Sequence, residues 1–169
     1  MVRKSFGIRW FGSLMLIWAV VGCAEQGPVT AGSTLPDFTV SSAGSYGGVS
    51  RADLKGKPVL IDFWATRCGP CKVSLPHLQK LWQKYKPMGL EVLCVSADGP
   101  TEISAYASEN GLSLPMYSDV DKKMNDAFAI NALPSTIVVG KDGKVIYSID
   151  GTGPGIEQDL DAAVAKAVL

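Results

Sequence analysis

Phe63-Trp64-Ala65-Thr66-Arg67-Cys68-Gly69-Pro70-Cys71-Lys72 is the stretch on which the fold turns. It joins two periodicities. Upstream, Val59-Leu60-Ile61-Asp62-Phe63-Trp64 is an apolar run broken only by Asp62, the pattern of a strand buried on both faces in a parallel sheet. Downstream, Val73, Leu75, Leu78, Leu81, Trp82 and Tyr85 recur at helical spacing. Pro70 suits the first turn of that helix, where its missing N–H leaves no bond unmade. Pro76, further in, is expected to kink it. Cys68 therefore sits at the junction of strand and helix, where unpaired N–H groups and the helix dipole favour a negative sulfur.

A bare C-x-x-C serves zinc sites as well as redox sites. Zinc takes four ligands, usually as two close pairs. In the folded part only Cys94 and His77 remain as soft ligands; they form no second pair, and Cys94 falls inside an apolar run. The setting therefore favours thiol chemistry. Cys68 is read as the attacking sulfur, forming a mixed disulfide with a substrate; Cys71, one turn into the helix and more shielded, then displaces the reduced substrate. Lowering a thiol pKa from ~8.5 to ~7 raises the thiolate at neutral pH roughly fifteenfold, while nucleophilicity falls roughly fivefold. The net gain is only about threefold, so a better leaving group and the proximity of Cys71 must supply most of the advantage.

Outward from this centre, strands and helices alternate. Thr34–Ser50 reads as an opening strand or hairpin with a loose Gly44/Gly47/Gly48 turn. Leu90–Ala97 is a second buried strand, and Thr101–Asn110 a helix closed by Gly111. Leu114–Tyr117 is a short strand and Lys122–Ile130 a short helix. Thr136–Val139 and Lys144–Ile149 flank Lys141-Asp142-Gly143, a hairpin signal, and Ile156–Leu169 is a terminal helix. The expected architecture is a three-layer α/β/α sandwich with a mixed central sheet. The chain has 169 residues, 47% apolar and 19% charged, with no net charge. That suits one domain able to bury a core, and offers no electrostatic footprint for nucleic acid.

The cysteine segment resembles the active-site segment of the thioredoxin superfamily, and the wider pattern is similar to its TlpA/ResA branch of exported, membrane-tethered thiol–disulfide oxidoreductases. Pro36-Asp37-Phe38 resembles that branch's opening strand, Gly56-Lys57-Pro58-Val59 its lead into the first core strand, and Thr101–Ser118 its inserted helix and strand. The resemblance runs from Leu35 to Leu169 and implies a thioredoxin-like fold. It implies that Ala132-Leu133-Pro134-Ser135-Thr136 carries a cis proline beside the disulfide, with Leu133 offering backbone to a substrate peptide. Gly151 would be a third groove element. Arg67, Gly69, Pro70, Leu133, Pro134 and Gly151 are thus the expected substrate-binding set. Asp62, six residues before Cys68, matches the family's buried acid. Desolvation should raise its pKa, so that it takes the Cys71 proton, through water, as that thiol attacks.

Three positions depart from the pattern. Arg67 replaces the usual Trp and favours thiolate at Cys68. Ser74 stands where the ResA type is acidic, and Cys94 near a usual Lys; Cys94 is read as a small core hydrophobe. His77 is read as a partly exposed helix residue. No cofactor and no metal is expected.

The first residues carry a separate signal. Arg3, Lys4 and Arg9 precede an uncharged run from Trp10 to Ala24, too short for the ~20 residues of a membrane span but right for an export signal. Val20-Val21-Gly22-Cys23 resembles a bacterial lipobox, which implies lipidation at Cys23. The expected organisation is a signal peptide over 1–22, a lipid anchor and flexible tether over 23–33, and the domain over 34–169. Losing the signal leaves the side chains at −3, too mild to dictate partners.

The leading expectation is a monomeric lipoprotein, facing the periplasm or cell exterior, that reduces protein disulfides. Family resemblance implies a membrane thiol carrier as electron donor and includes apocytochrome c, hence cytochrome c maturation, among possible substrates. Two alternatives stand beside it. A copper-binding assembly chaperone would use both thiolates for Cu(I), but related copper carriers space their cysteines by three and add a distal His. A peroxiredoxin-like peroxidase would carry Pro-x-x-x-Thr-x-x-Cys, whereas here Thr66 stands only two residues before Cys68.

Overall fold

The computed structural model describes residues 28–169. The expected signal peptide over 1–22 and the lipidation site Cys23 lie outside the described residues. The elements are β1 (Thr39–Ser42), β2 (Val49–Ser50), β3 (Val59–Trp64), α1 (Gly69–Tyr85), β4 (Glu91–Ser96), α2 (Pro100–Glu109), β5 (Met116–Ser118), α3 (Lys123–Ala127), β6 (Ser135–Val139), β7 (Val145–Asp150) and α4 (Ile156–Val168). From β3 onward they follow the pattern expected from the hydrophobic periodicity, with ends shifted by at most three residues; the opening strand starts at Thr39, five residues later than expected.

The seven strands form one sheet in the order β2-β1-β5-β4-β3-β6-β7. β3 runs parallel to β4, and β4 to β5; β6 is antiparallel to β3 and β7 to β6. The inserted strand β5 separates β1 from β4 and pairs antiparallel with β1. β3 is central, which explains its near-continuous apolar sequence: all six of its residues are buried.

Alternation along β3 divides the core. Val59, Ile61 and Phe63 face one layer with Phe38, Leu54, Met124 and Phe128. Leu60 and Trp64 face the other with Cys71, Leu75, Leu78 and α4's Leu160 and Val164. Each large apolar side chain buried in this way contributes roughly 1.5–3 kcal/mol. Asp62, between Leu60 and Trp64 in the strand, belongs to the α1/α4 face by the same alternation.

α1 runs unbroken through Pro76. The proline deprives the Lys72 carbonyl of its helical donor, and the missing bond falls at an exposed residue. At the β6–β7 hairpin, Gly143 (φ 77°) takes the left-handed conformation and the Gly140 N–H donates to the Lys144 carbonyl at 2.9 Å. Residues 28–33, expected within the tether, lie against β7 instead. Val29 is buried, its carbonyl accepts from Ser148 Oγ at 2.9 Å, and Gly32 and Ser33 exchange backbone bonds with Val145 at 2.8 Å. Burial of Val29 and these three bonds hold the segment down, so the ordered domain begins before residue 34.

Candidate active site

Cys68 is the N-cap of α1. Its sulfur accepts the Cys71 N–H at 3.2 Å, one of the helix's unpaired donors. The fully buried β3 delivers the chain to this point and the backbone turns there, the Cys68 N–H donating to the Ala65 carbonyl at 3.0 Å. Cys68 and Cys71 form a disulfide with their Cα atoms 5.3 Å apart. Cys71 is completely buried, whereas Cys68 is only partly so, with Gly69 and Pro70 exposed beside it. An incoming sulfur therefore reaches Cys68, and Cys71 is shielded.

Asp62 is fully buried on the sheet face that carries α1. Thr136 Oγ1, across the β3–β6 pair, donates to its Oδ1 at 2.8 Å; among the described residues Oδ2 has no partner. Desolvation pushes its carboxyl up to about 7, with the Thr136 hydrogen bond acting in the opposite direction. Opposite Asp62 in register on β4 stands Cys94, a free and fully buried cysteine. Burial, then the neighbouring Asp62, push its thiol well above the usual range. Cys94 packs in the same apolar cluster as Cys71.

The Leu133–Pro134 peptide bond is cis. Leu133 is 39% exposed, an apolar side chain at the rim. The Pro134 carbonyl accepts the Gly151 N–H at 2.7 Å, and Gly151 (φ 88°) holds a conformation that side chains rarely adopt. Pro134, Gly151, Thr136, Val73, Ser74 and His77 line a groove of about 240 Å³ between α1 and the start of α4. Of the expected site residues, Pro134 and Gly151 thus share this groove with Val73 and Ser74, which follow Cys71 in α1, and Thr136 bonds Asp62; Arg67, Gly69, Pro70 and Leu133 are not among its lining residues.

Arg67, next to Cys68 in the chain, is exposed. Behind it lies a carboxylate that the sequence did not single out. Asp98 Oδ2 accepts the Thr66 N–H at 2.6 Å and the Ser96 hydroxyl at 3.0 Å. Burial works against its charge, but hydrogen bonds from Thr66 and Ser96, with the Arg67 charge, outweigh this and hold its carboxyl below the ordinary value. Thr66 Oγ1 also donates to Glu102 of α2 at 2.9 Å, so the inserted helix is tied to the redox loop. His77 lies partly buried between α1 and α4, with Nε2 2.9 Å from Asp161. Among the described residues no group of three or more His, Cys, Asp or Glu side chains is placed to hold a metal ion.

Comparison with known proteins agrees with this geometry. The sequence model of the AhpC/TSA family matches residues 31–148. The chain is 36% identical over 152 residues to thiol-disulfide oxidoreductase ResA of Halalkalibacterium halodurans, covering 85% of each chain. It is 33% identical over 148 residues to the ResA of Geobacillus thermodenitrificans, covering 82% of this chain and 84% of that protein. Among solved structures, the thioredoxin domain of a thiol-disulfide oxidoreductase from Bacteroides vulgatus superposes with a TM-score of 0.70 at 27% identity, covering 83% of this chain and 99% of that one. The matched range 31–148 takes in the cysteine pair and the α2–β5 element. The chain belongs to the AhpC/TSA family, among its ResA-like thiol–disulfide oxidoreductases of thioredoxin fold.

Proposed function

We propose that this oxidoreductase works as a reductant of protein disulfides outside the cytoplasm, held to a membrane by lipid on Cys23 and recharged by a membrane thiol carrier. The observation that carries the reading is the asymmetry of the pair: a reachable Cys68 on the helix N-terminus, a buried Cys71, and Gly69-Pro70 between them. That dipeptide resembles the reducing members of the superfamily. The charged start followed by an uncharged run ending at Cys23 supports export and anchoring. Apocytochrome c is among the substrates such a reductant would serve, and the protein acts as a monomer.

In the reduced protein, the Cys68 thiolate attacks one sulfur of a substrate disulfide. A bond forms between Cys68 Sγ and that sulfur, the substrate S–S bond breaks, and the other substrate sulfur leaves as thiolate. Arg67 and the α1 N-terminus stabilise the attacking anion. Backbone at Leu133 and Gly151 aligns the peptide. Cys71 then gives its proton to Asp62 and attacks Cys68 Sγ. The mixed disulfide breaks, the second substrate thiolate leaves, and two electrons have passed to the substrate.

Trapping tests the scheme. Full-length Cys71→Ser, expressed from its own cell, is expected to accumulate mixed disulfides through Cys68 that reductant releases, and mass spectrometry should find exported cysteine-bearing proteins in them. Captured partners drawn from the cytoplasm would defeat the export reading; no capture at all would defeat the two-step mechanism.

A further inference from the structure

We infer that Thr136 is a positioning residue for the resolving step, holding the Asp62 carboxylate by its Oδ1 so that Oδ2 is left open to receive the Cys71 proton. The inference rests on the reading of Asp62 as the proton acceptor for Cys71.

Three observations carry it. First, Thr136 Oγ1 donates to Asp62 Oδ1 at 2.8 Å, from a strand neighbour in direct register. Second, Oδ2 of the same carboxylate is buried and has no partner among the described residues, although buried polar atoms are nearly always paired. One oxygen is anchored and the other is free, which is what a directional base requires. Third, Thr136 is only 6% exposed and Asp62 is fully buried, so the bond between them is shielded from bulk water. A purely structural Asp–Thr pair would not need the free oxygen.

The groups facing Asp62 are few. Cys94 stands opposite on β4, and Cys71 packs in the same cluster from α1. His77 on α1 and Glu157 on α4 lie along the groove, and Asp161 of α4 lies 2.9 Å from His77. None of these is within hydrogen-bonding reach of Asp62; Thr136 alone among the described residues bonds it. The hydroxyl favours the charged carboxylate, so removing it should make Asp62 harder to ionise and move the base-dependent limb of the resolving step to higher pH.

The test is stopped-flow reaction of the reduced, full-length protein with 5,5′-dithiobis(2-nitrobenzoate) across pH 5–9. The first nitrothiobenzoate released reports attack by Cys68, which forms the Cys68–nitrothiobenzoate disulfide. The second reports attack by Cys71 on Cys68, with the Cys71 proton passing to Asp62 and nitrothiobenzoate leaving as thiolate. Thr136→Val is expected to leave the first phase unchanged and move the midpoint of the second to higher pH by about one pH unit, slowing it roughly severalfold below the midpoint. Thr136→Ser should restore the wild-type profile. An unchanged first phase shows an intact site; should the valine variant fold poorly, Thr136→Ala is expected to give the same shift. A second-phase profile in both Thr136→Val and Thr136→Ala that superposes on wild type, while Asp62→Asn abolishes the pH dependence, overturns the role of Thr136 alone. A second phase in Asp62→Asn that keeps the wild-type pH dependence overturns the reading of Asp62, and this inference with it.

Discussion

Asp62 is the residue where sequence rule and structure pull hardest against each other. A carboxyl in the middle of a fully buried strand is unfavourable, and the fold contains it by raising its pKa to about 7 in the oxidised protein. The consequence for stability has a definite sign. The folded value lies above the unfolded one of 3.8, so between the two the folded state holds a proton that the unfolded state has lost. Stability therefore falls as pH rises from about 4 to 7 and levels off above, by about 4 kcal/mol in total. Oxidised Asp62→Asn should lack this slope and be the more stable protein at pH 8, by a few kcal/mol on the same reckoning. Urea unfolding of both proteins at pH 5 and pH 8 measures it; parallel losses in the two would mean that Asp62 titrates normally. Cys94 and Thr136 complete this interior patch. A thiol opposite the acid adds no counter-charge that would lower its pKa, which leaves burial as the dominant cause.

Among the elements, the inserted α2–β5 unit does more than widen the sheet. Asp98 opens the connection to α2 and Glu102 lies in α2's first turn, and both hold Thr66, two residues before Cys68. Ser118 at the end of β5 donates to the Asp98 carbonyl at 2.8 Å, so the returning strand braces the same corner. The position of Cys68 at the α1 N-terminus thus depends on an element roughly thirty residues downstream. Asp98→Ala leaves the Thr66 N–H and the Ser96 hydroxyl without their acceptor in a nearly dry site. It should lower stability by about 2 kcal/mol at pH 7, read from the denaturant midpoint; a change within experimental error would mean that water replaces the carboxylate freely. Because hydrogen bonding depresses the Asp98 pKa below its unfolded value, its contribution is present above about pH 4 and fades as the solution is acidified through the folded value. His77 on α1 and Asp161 on α4 approach to 2.9 Å beside the groove without the geometry of a hydrogen bond.

Taken whole, the molecule places its disulfide just beyond the C-terminal end of the interior strand β3, the strand that also carries the buried Asp62. Its working direction depends on potential. A reductant of this kind is expected near −270 mV, against about −120 mV for strong oxidants, a gap of roughly 7 kcal/mol for two electrons. Equilibration of the purified protein with dithiol buffers of known potential gives the value directly, and a result above about −150 mV would reverse the assigned direction. The β1–β2 opening pair and residues 28–33 lie on the sheet's outer strands, β1–β2 at one edge and residues 28–33 along β7 at the other. The anchor proposed at Cys23 therefore leads into ordered chain after only a few residues.

Local pattern alone determined much of this protein. The unbroken apolar run of β3, the helical spacing from Val73 to Tyr85 and the Lys141-Asp142-Gly143 turn each specify their element through contacts between near neighbours. The cysteine pair was equally legible, because its chemistry follows from standing at a strand–helix junction. Tertiary structure decided the rest. Thr136 meets Asp62 across 74 residues and Asp98 meets Thr66 across 32. The insertion of β5 between β1 and β4, and the docking of residues 28–33 on β7, likewise join distant parts of the chain. Periodicity states which face a side chain takes; it does not state which strand lies alongside or in what register. The partners of a buried polar group depend on that register, and so they became visible only once the sheet was assembled.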